Sequence, residues 1–108
     1  MDDSVEIVVR DAPERDRYEA WAGDRRAGFV DYLRQGDTLV LIHTEVEPEF
    51  EGKGVGAELA RAVLDQARAA GLRVDPLCPF ISGWIARHQD YLDLVPERRR
   101  GRIARTSH

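Results

Sequence analysis

"VEPEFEGKGVGAELARAVLDQA", residues 46–67, places three glycines at alternate positions directly before a helix-like run. After the glycines at 52, 54 and 56, apolar residues recur at helical spacing from Val55 to Ala67, and Gly71 marks the end of the predicted helix. Glycine loses more conformational freedom on folding than any other residue. A cluster of glycines at a helix start therefore indicates that the backbone there has a special task.

Phosphate binding is the task that this pattern favours. The first N–H groups of a helix are unpaired, the helix dipole is positive at that end, and glycines let the backbone come close to a ligand. The dipole contributes only about 0.3–1 kcal/mol at an exposed site, so several main-chain N–H contacts must supply most of the affinity. Lys53 favours an anion, whereas Glu51 and Glu58 oppose it. We expect Glu51–Gly56 to bind phosphate, and a plain tight turn is the structural alternative.

Two nucleotide-binding patterns also contain glycines at this kind of turn. The Walker pattern fails, because no Gly-Lys-Ser/Thr follows the required gap. The dinucleotide fingerprint is matched formally by Gly52-x-Gly54-x-x-Ala57, with Asp75 as a candidate ribose partner. A Rossmann site, however, needs repeated βαβ units that start with the motif, and this motif lies in the middle of the chain.

The segments on either side of the turn predict one mixed α and β domain. Strand patterns cover residues 4–10, 38–46 and 72–77, and a second helix begins near Pro79. Residues 27–37 are rich in strand formers, while the segment from Tyr18 to Ala22 fits a short helix and a strand equally. The order of elements predicts an α+β or α/β sheet in which the Val55 helix makes a right-handed crossover between parallel strands.

The strand over residues 38–46 has two different faces. Simple alternation puts Leu39, Leu41, His43 and Glu45 on one side and Val40, Ile42, Thr44 and Val46 on the other. Two ionisable groups, His43 and Glu45, therefore share one face at the end of the strand.

Composition limits the classes of function. The 108 residues, 43% of them hydrophobic, suffice for one compact domain. The single cysteine excludes an internal disulfide, and the three histidines show no metal-ligand spacing. No apolar run approaches the ~20 residues of a membrane helix, and the acidic start "MDDSVE" is unlike a signal peptide, so we expect a cytoplasmic protein without a membrane partner.

Charge is distributed unevenly along the chain. The net charge of −4 combines about +4 on residues 97–108, which hold five arginines and one glutamate, with −8 on residues 1–96, which hold 11 basic and 19 acidic side chains. The acidic body disfavours an extended nucleic-acid surface. We expect residues 1–96 to form the domain and residues 97–108 to be a basic, disordered tail.

The turn and its flanks resemble a known superfamily. Residues 49–74, "EFEGKGVGAELARAVLDQARAAGLRV", are similar to the acyl-CoA pyrophosphate loop and following helix of GNAT-type N-acetyltransferases. In the loop pattern Gln/Arg-x-x-Gly-x-Gly/Ala, Gly54 and Gly56 match the glycines, and Glu51 stands at the Gln/Arg position. With "HTEV" at 43–46 and "PLCPFISGWIARHQDYLDLV" at 76–95, the chain resembles the minimal YjdJ-like branch over about residues 5–95.

The resemblance implies a fold and a cofactor. The fold is a single GNAT-like domain with a mostly antiparallel sheet that splays open after residues 41–46, a central crossover helix and a C-terminal helix, and the Tyr18 segment is then a strand. Acetyl-CoA enters the gap, with its pyrophosphate on the loop amides and its pantetheine paired to the strand edge. The implied CoA-binding residues are Thr44, Val46, Glu51, Gly52, Lys53, Gly54, Val55 and Gly56.

Acetyl transfer to an amine needs a base, a donor to the thioester oxygen and a proton for the leaving thiolate. His43 and Glu45 lie ~6.6–7 Å apart along the strand and are candidate bases. The YjdJ-like branch carries a cysteine at the position of Cys78, which either lines the pocket or forms an acetyl intermediate. Tyr91 is a candidate proton donor, by analogy with a tyrosine in some relatives.

These residues predict an acetyl-CoA-dependent N-acetyltransferase. Direct transfer in a ternary complex is favoured over a relay through Cys78, and the acceptor is an amine such as a lysine or N-terminus of a peptide. A cationic acceptor would suit the acidic body. The alternative is a non-catalytic CoA-binding or protein-interaction module of the same fold.

Overall fold

Five strands form one sheet in the computed structural model, which describes residues 6–106. The strands are β1 (Val8–Ala12), β2 (Arg17–Ala22), β3 (Arg25–Gln35), β4 (Thr38–Val46) and β5 (Arg73–Pro76). The helices are α1 (Val55–Ala69), α2 (Pro79–Arg87) and α3 (Glu97–Thr106), and 3-10 turns cover Pro13–Arg15, Pro48–Phe50 and Gln89–Leu94. The predicted α+β class is confirmed, and the ambiguous Tyr18 segment is strand β2.

The sheet follows the order of the chain. Strands β1 to β4 pair antiparallel with their neighbours, and β5 pairs parallel with β4 after the α1 crossover. The strand predicted over residues 4–10 begins only at Val8, and residues 4 and 5 lie outside the described part of the chain.

The hydrophobic core lies between α1 and one face of the sheet. The apolar stripe of α1, including Leu59 and Val63, packs with Ala20, Val30 and Leu41 from the strands, and all five residues are fully buried. Each fully buried large aliphatic side chain contributes about 1.5–3 kcal/mol to stability. This packing fixes the start of α1 relative to the end of β4.

A β-bulge at Ile42 changes which side chains share a face of β4. Asp31 pairs with His43 and the next residue of β3, Tyr32, pairs with Leu41, so Ile42 is an extra residue without a partner opposite it. An extra residue reverses the alternation that follows it. The predicted grouping of His43 with Leu41 is therefore wrong, because Leu41 faces the core and His43 faces solvent.

The predicted disordered tail is also corrected. Glu97–Thr106 form α3, and residues 107 and 108 lie outside the described chain. Ile103 is 1% exposed and belongs to the core, Arg99 pairs through Nε with Oδ2 of the buried Asp75 at 3.3 Å, and Arg100 Nε donates to the Val95 carbonyl at 2.9 Å. The arginines that suggested a solvated tail thus include two that anchor the helix.

Candidate functional site

The glycine turn adopts a conformation that requires glycine. Gly52 and Gly54 both have φ of 81°, in the left-handed region, and Gly54 immediately precedes α1. A side chain there costs roughly 1–2 kcal/mol of strain. The turn therefore holds a fixed geometry at the start of the helix rather than serving as a flexible link.

Several amides of this turn are free to bind a ligand. Within residues 6–106, no hydrogen bond is made to the N–H groups of Gly52, Gly54, Val55, Gly56 or Ala57. The amides of Glu51 and Lys53, which were expected to join the cradle, instead donate to Pro48 and Phe50 carbonyls, each at 3.2 Å. The unpaired donors are thus concentrated in the first turn of α1 and the glycines before it.

A cavity of about 350 Å³ adjoins these amides. We call it the loop cavity, and it is lined by Val46, Phe50, Glu51, Gly52, Gly54, Val55, Gly56, Ala57, Phe80, Trp84 and Arg87. A Cβ added to Gly56 would lie 2.7 Å from Cζ of Phe80, so only glycine lets this ring pack against the helix start. The cavity is mostly apolar, with the free amides along one wall.

The sheet opens beside the loop cavity. Strand β5 pairs with β4 only from Thr38 to Leu41, after which the Cys78 amide donates to the Leu41 carbonyl at 3.0 Å. From Ile42 to Val46, β4 has no further strand partner on that side among residues 6–106. The opening that was expected after residues 41–46 is therefore present, and Val46 connects it to the loop cavity.

His43 and Glu45 form a contacting pair on the solvent face of the sheet. His43 Nε2 lies 3.2 Å from Glu45 Oε1, and both side chains are 55% exposed. The ring of Phe29, on β3, lies 6.0 Å from the His43 ring. The two candidate bases are thus together and accessible, and their side chains touch directly.

Cys78 lies on the other side of β4 from this pair. The residue is 3% exposed, and its Sγ is 3.0 Å from the Thr44 hydroxyl, where either atom can donate. Thr44 pairs with the core residue Val30 and so faces the core, opposite to His43. The candidate thiol and the candidate bases are therefore two separate groups.

The sequence of a known family matches most of the chain. A family model described as GCN5-related N-acetyl-transferase matches residues 17–94. The chain belongs to the GCN5-related N-acetyltransferase family. The match begins at β2 and extends through the turn after α2, so it includes the glycine turn, the opening of the sheet and both groups of candidate residues.

A solved structure shows the same fold. A GCN5-like candidate N-acetyltransferase from Staphylococcus aureus, determined by NMR in solution, has 23% identity and a TM-score of 0.62, covering 87% of this chain and 90% of its own. None of the curated proteins compared with the chain matches it. The superfamily prediction is confirmed, and the YjdJ-like branch stays a prediction.

Tyr91 lies away from the loop cavity of this GCN5-related domain. Its hydroxyl donates to Asp65 Oδ1 at 2.7 Å, and this hydrogen bond, with burial and the Asp65 charge, raises the pKa of Tyr91. Asp65 is ten residues after Val55 on α1, a rise of about 15 Å. The structure does not bring Tyr91 together with the other candidate residues.

A second cavity was not anticipated from the sequence. It measures about 510 Å³ and is lined by Arg15, Glu19, Trp21, Arg26 and Glu47, and we call it the ion-pair cavity. Glu19 is 3% exposed and accepts from Arg15 Nε at 3.0 Å, Arg15 Nη2 at 2.9 Å and Trp21 Nε1 at 3.3 Å. Arg15 holds the pKa of Glu19 below its usual range, although burial opposes this.

No helix among residues 6–106 combines the length and hydrophobicity needed to cross a membrane.

Proposed function

We propose that the protein is an acetyl-CoA-dependent N-acetyltransferase that transfers the acetyl group directly to an amine within a ternary complex. The observation that carries the proposal is the row of unpaired amides at the start of α1, which borders a cavity beside the opening of the sheet. Family membership supplies the class of reaction.

The residues present fit a CoA molecule. The amides of Gly52 and Gly54–Gly56 would hold its diphosphate, because unpaired N–H groups at a helix start suit anions. The unpartnered edge of β4 from Thr44 to Val46 would pair with the pantetheine amides as an added strand. Lys53 contributes a positive charge next to this cradle, and Glu51 opposes it.

Acetyl-CoA would supply the thioester carbonyl. As the amine nitrogen bonds to its carbon, the carbon–sulfur bond would break, and the CoA thiolate would take up a proton that the amine gives up. An ordinary lysine amine is protonated at neutral pH, since its pKa is about 10.4, so a base must accept a proton. Glu45 and His43 are accessible for that role, directly or through a water. Because their side chains are in contact, the proton can be shared between them.

Direct transfer is supported by the surroundings of Cys78. The thiol is buried and contacts the Thr44 hydroxyl, which is not a base at neutral pH. Cys78, which is not among the residues that line the loop cavity, then does not carry the acetyl group. Tyr91 receives no role in the proposed reaction, because its hydroxyl is bound to Asp65.

The acceptor is proposed to be a lysine or an N-terminus of a cationic peptide. The chain carries a net charge of −4, which attracts cations and speeds their encounter with the domain.

Calorimetry with CoA and a thiol-release assay over a panel of amines test the proposal. CoA should bind, and acetyl-CoA with a lysine peptide should release thiol. Glu45→Gln should lower turnover about 10²-fold, with CoA affinity unchanged. Binding without turnover on any amine would favour the non-catalytic CoA-binding module, and absence of CoA binding would exclude both functions.

The mass of the intact protein separates the two mechanisms. After treatment with acetyl-CoA, direct transfer predicts no acetyl adduct on the protein and continued turnover by Cys78→Ala. A stable adduct that Cys78→Ala abolishes would instead establish the relay.

A further inference from the structure

Among the described residues, the loop cavity has two ionisable side chains in its lining, Glu51 and Arg87. Glu51 repels a phosphate, and it stands at a position where the superfamily pattern has glutamine or arginine. Lys53 carries a cation in the turn but is not part of the cavity lining. Arg87, in the last turn of α2, is therefore the cation that the cavity presents to a ligand.

Arg87 is also without an acidic partner, unlike seven other arginines of the domain. In the described part of the chain, it makes no ion pair and no hydrogen bond through its side chain. The arginines that do pair with carboxylates are those at 15, 17, 25, 26, 61, 68 and 99. In an acidic protein, a guanidinium that stays unpaired beside a cavity retains its hydrogen-bonding capacity for a ligand.

Gly83 explains how the Arg87 side chain is positioned. A Cβ built on Gly83 would lie 3.5 Å from Arg87 Nη1. The guanidinium of Arg87 therefore packs against α2 at Gly83, one helical turn toward the N-terminus from the Arg87 backbone. Helical side chains lean toward the N-terminus, and the N-terminal part of α2 carries Phe80, which covers Gly56. Glycine inside a helix costs about 0.5–1 kcal/mol relative to alanine, and here it leaves room for the arginine to lie toward the loop.

We infer that Arg87 binds a phosphate group of the CoA molecule and offsets the negative charge of Glu51. The inference rests on the proposed function and extends it to a residue outside the glycine turn. A guanidinium offers planar paired donors that match phosphate oxygens. The group bound is either the diphosphate or the 3′-phosphate of the ribose, both of which have this chemistry.

Titration calorimetry of Arg87→Gln against CoA tests the inference, with Arg73→Gln as the matched control. Arg73 is an exposed arginine at the first residue of β5, at the opposite end of that strand from the opening. We expect Arg87→Gln to weaken CoA binding about tenfold, as the loss of a charge-assisted hydrogen bond does. Arg73→Gln should change the affinity less than about twofold, because an isolated surface charge is screened.

Dephospho-CoA, which lacks the 3′-phosphate, identifies the bound group. If Arg87 binds the diphosphate, Arg87→Gln weakens CoA and dephospho-CoA equally. If it binds the 3′-phosphate, the wild-type protein binds dephospho-CoA less tightly than CoA, and Arg87→Gln adds no further loss for dephospho-CoA. Both results support the inference.

The variant Arg87→Lys distinguishes phosphate binding by Arg87 from stabilisation of α2 by a cation near its C-terminus. A cation in the last turn also stabilises the helix dipole, and lysine would serve that purpose as well as arginine. Phosphate recognition predicts an affinity for Arg87→Lys between those of the wild type and Arg87→Gln, with all three proteins melting at similar temperatures.

Two failures have different meanings. If the wild-type protein binds CoA and folded Arg87→Gln binds it equally well, the role of Arg87 is refuted while the proposed function stands. If the wild-type protein does not bind CoA, the proposed function and the role of Arg87 are both refuted.

Discussion

The loop cavity and the ion-pair cavity differ in the state of their polar groups. The ion-pair cavity is the larger, at about 510 Å³ against about 350 Å³ for the loop cavity. Its charged groups already bind one another: Glu19 accepts from Arg15 and Trp21, and Arg26 Nη2 donates to Glu47 Oε2 at 3.3 Å. The loop cavity has unpaired main-chain amides and an unpaired arginine.

The comparison shows that volume alone does not identify a ligand site. A ligand that competed for the polar groups of the ion-pair cavity would have to break hydrogen bonds to a buried carboxylate, and leaving such a group unpaired costs more than an ordinary hydrogen bond returns. A phosphate in the loop cavity would instead satisfy donors that the fold leaves unpaired. The ion pairs that line the ion-pair cavity therefore stabilise the solvent face of the sheet, whereas the unpaired donors of the loop cavity are suited to a ligand.

The largest expected effect tests the structural role of the ion-pair cavity. Glu19→Gln should lower the free energy of unfolding by about 2 kcal/mol, in the lower part of the range for hydrogen bonds to charged groups, since Arg15 is half-exposed. Urea denaturation measures the change, and CoA affinity should stay the same. Glu14→Gln is the control, because Glu14 pairs with the same Arg15 at 3.3 Å but is exposed; it should cost less than about 0.5 kcal/mol. Equal effects of the two variants would contradict the role of burial.

The pH dependence of the free energy of unfolding should reveal the contribution of the Glu19 carboxylate. The pKa of Glu19 is lower in the folded protein than its ordinary value of 4.5. Its stabilisation is therefore complete above about pH 4.5 and is lost as the pH falls through the folded pKa. The difference in unfolding free energy between the wild type and Glu19→Gln should therefore become smaller as the pH is lowered below about 4.5. Asp93, whose pKa is also lowered, is present in both proteins and cancels in the comparison. A difference that stays constant down to acid unfolding would refute the assignment.

Gly54→Val tests the loop cavity. Valine opposes the positive φ of Gly54, so the amides should move and CoA affinity should fall at least about tenfold, or ~1.4 kcal/mol. Gly36→Val is the matched control, because Gly36 has a φ of 60° in the β3–β4 turn and no atom within 4 Å of an added Cβ, as at Gly54. Both variants should lose similar stability, and only Gly54→Val should lose CoA binding. Unchanged affinity in folded Gly54→Val would remove the basis of the proposed function.

The smallest expected effect concerns the charge of the loop cavity. Glu51→Gln removes a negative charge from the lining and should tighten CoA binding about threefold at low salt, with a smaller gain at high salt. Asp37→Asn removes an exposed carboxylate in the β3–β4 turn and should leave the affinity unchanged. Weaker binding by Glu51→Gln would indicate that the carboxylate contributes to recognition, contrary to the charge argument.

Local patterns predicted the elements around the site. The glycine spacing, the apolar stripe of α1 and the strand pattern of residues 38–46 each depend on residues close together in the sequence, and all three correspond to the observed elements. Superfamily resemblance then predicted the opening of the sheet and resolved the Tyr18 segment as a strand.

The features that sequence analysis missed all depend on distant partners. Nothing near Tyr91 indicates that its hydroxyl will donate a hydrogen bond to Asp65. The arginines of residues 97–108 suggested a solvated tail, whereas contacts to Ile103 and Asp75 anchor α3. Gly83, one turn before Arg87, was a local sign that this part of α2 has a special packing requirement.

The amino-acid sequence by itself determined where α1 and β4 form and where the chain turns through glycine, because periodicity and backbone freedom are properties of short segments. Only the tertiary structure decided which side chains share a face at the end of β4. The bulge at Ile42 arises from pairing with β3, and one extra residue in that pairing moves His43 and Glu45 to the solvent face while Thr44 faces the core beside Cys78.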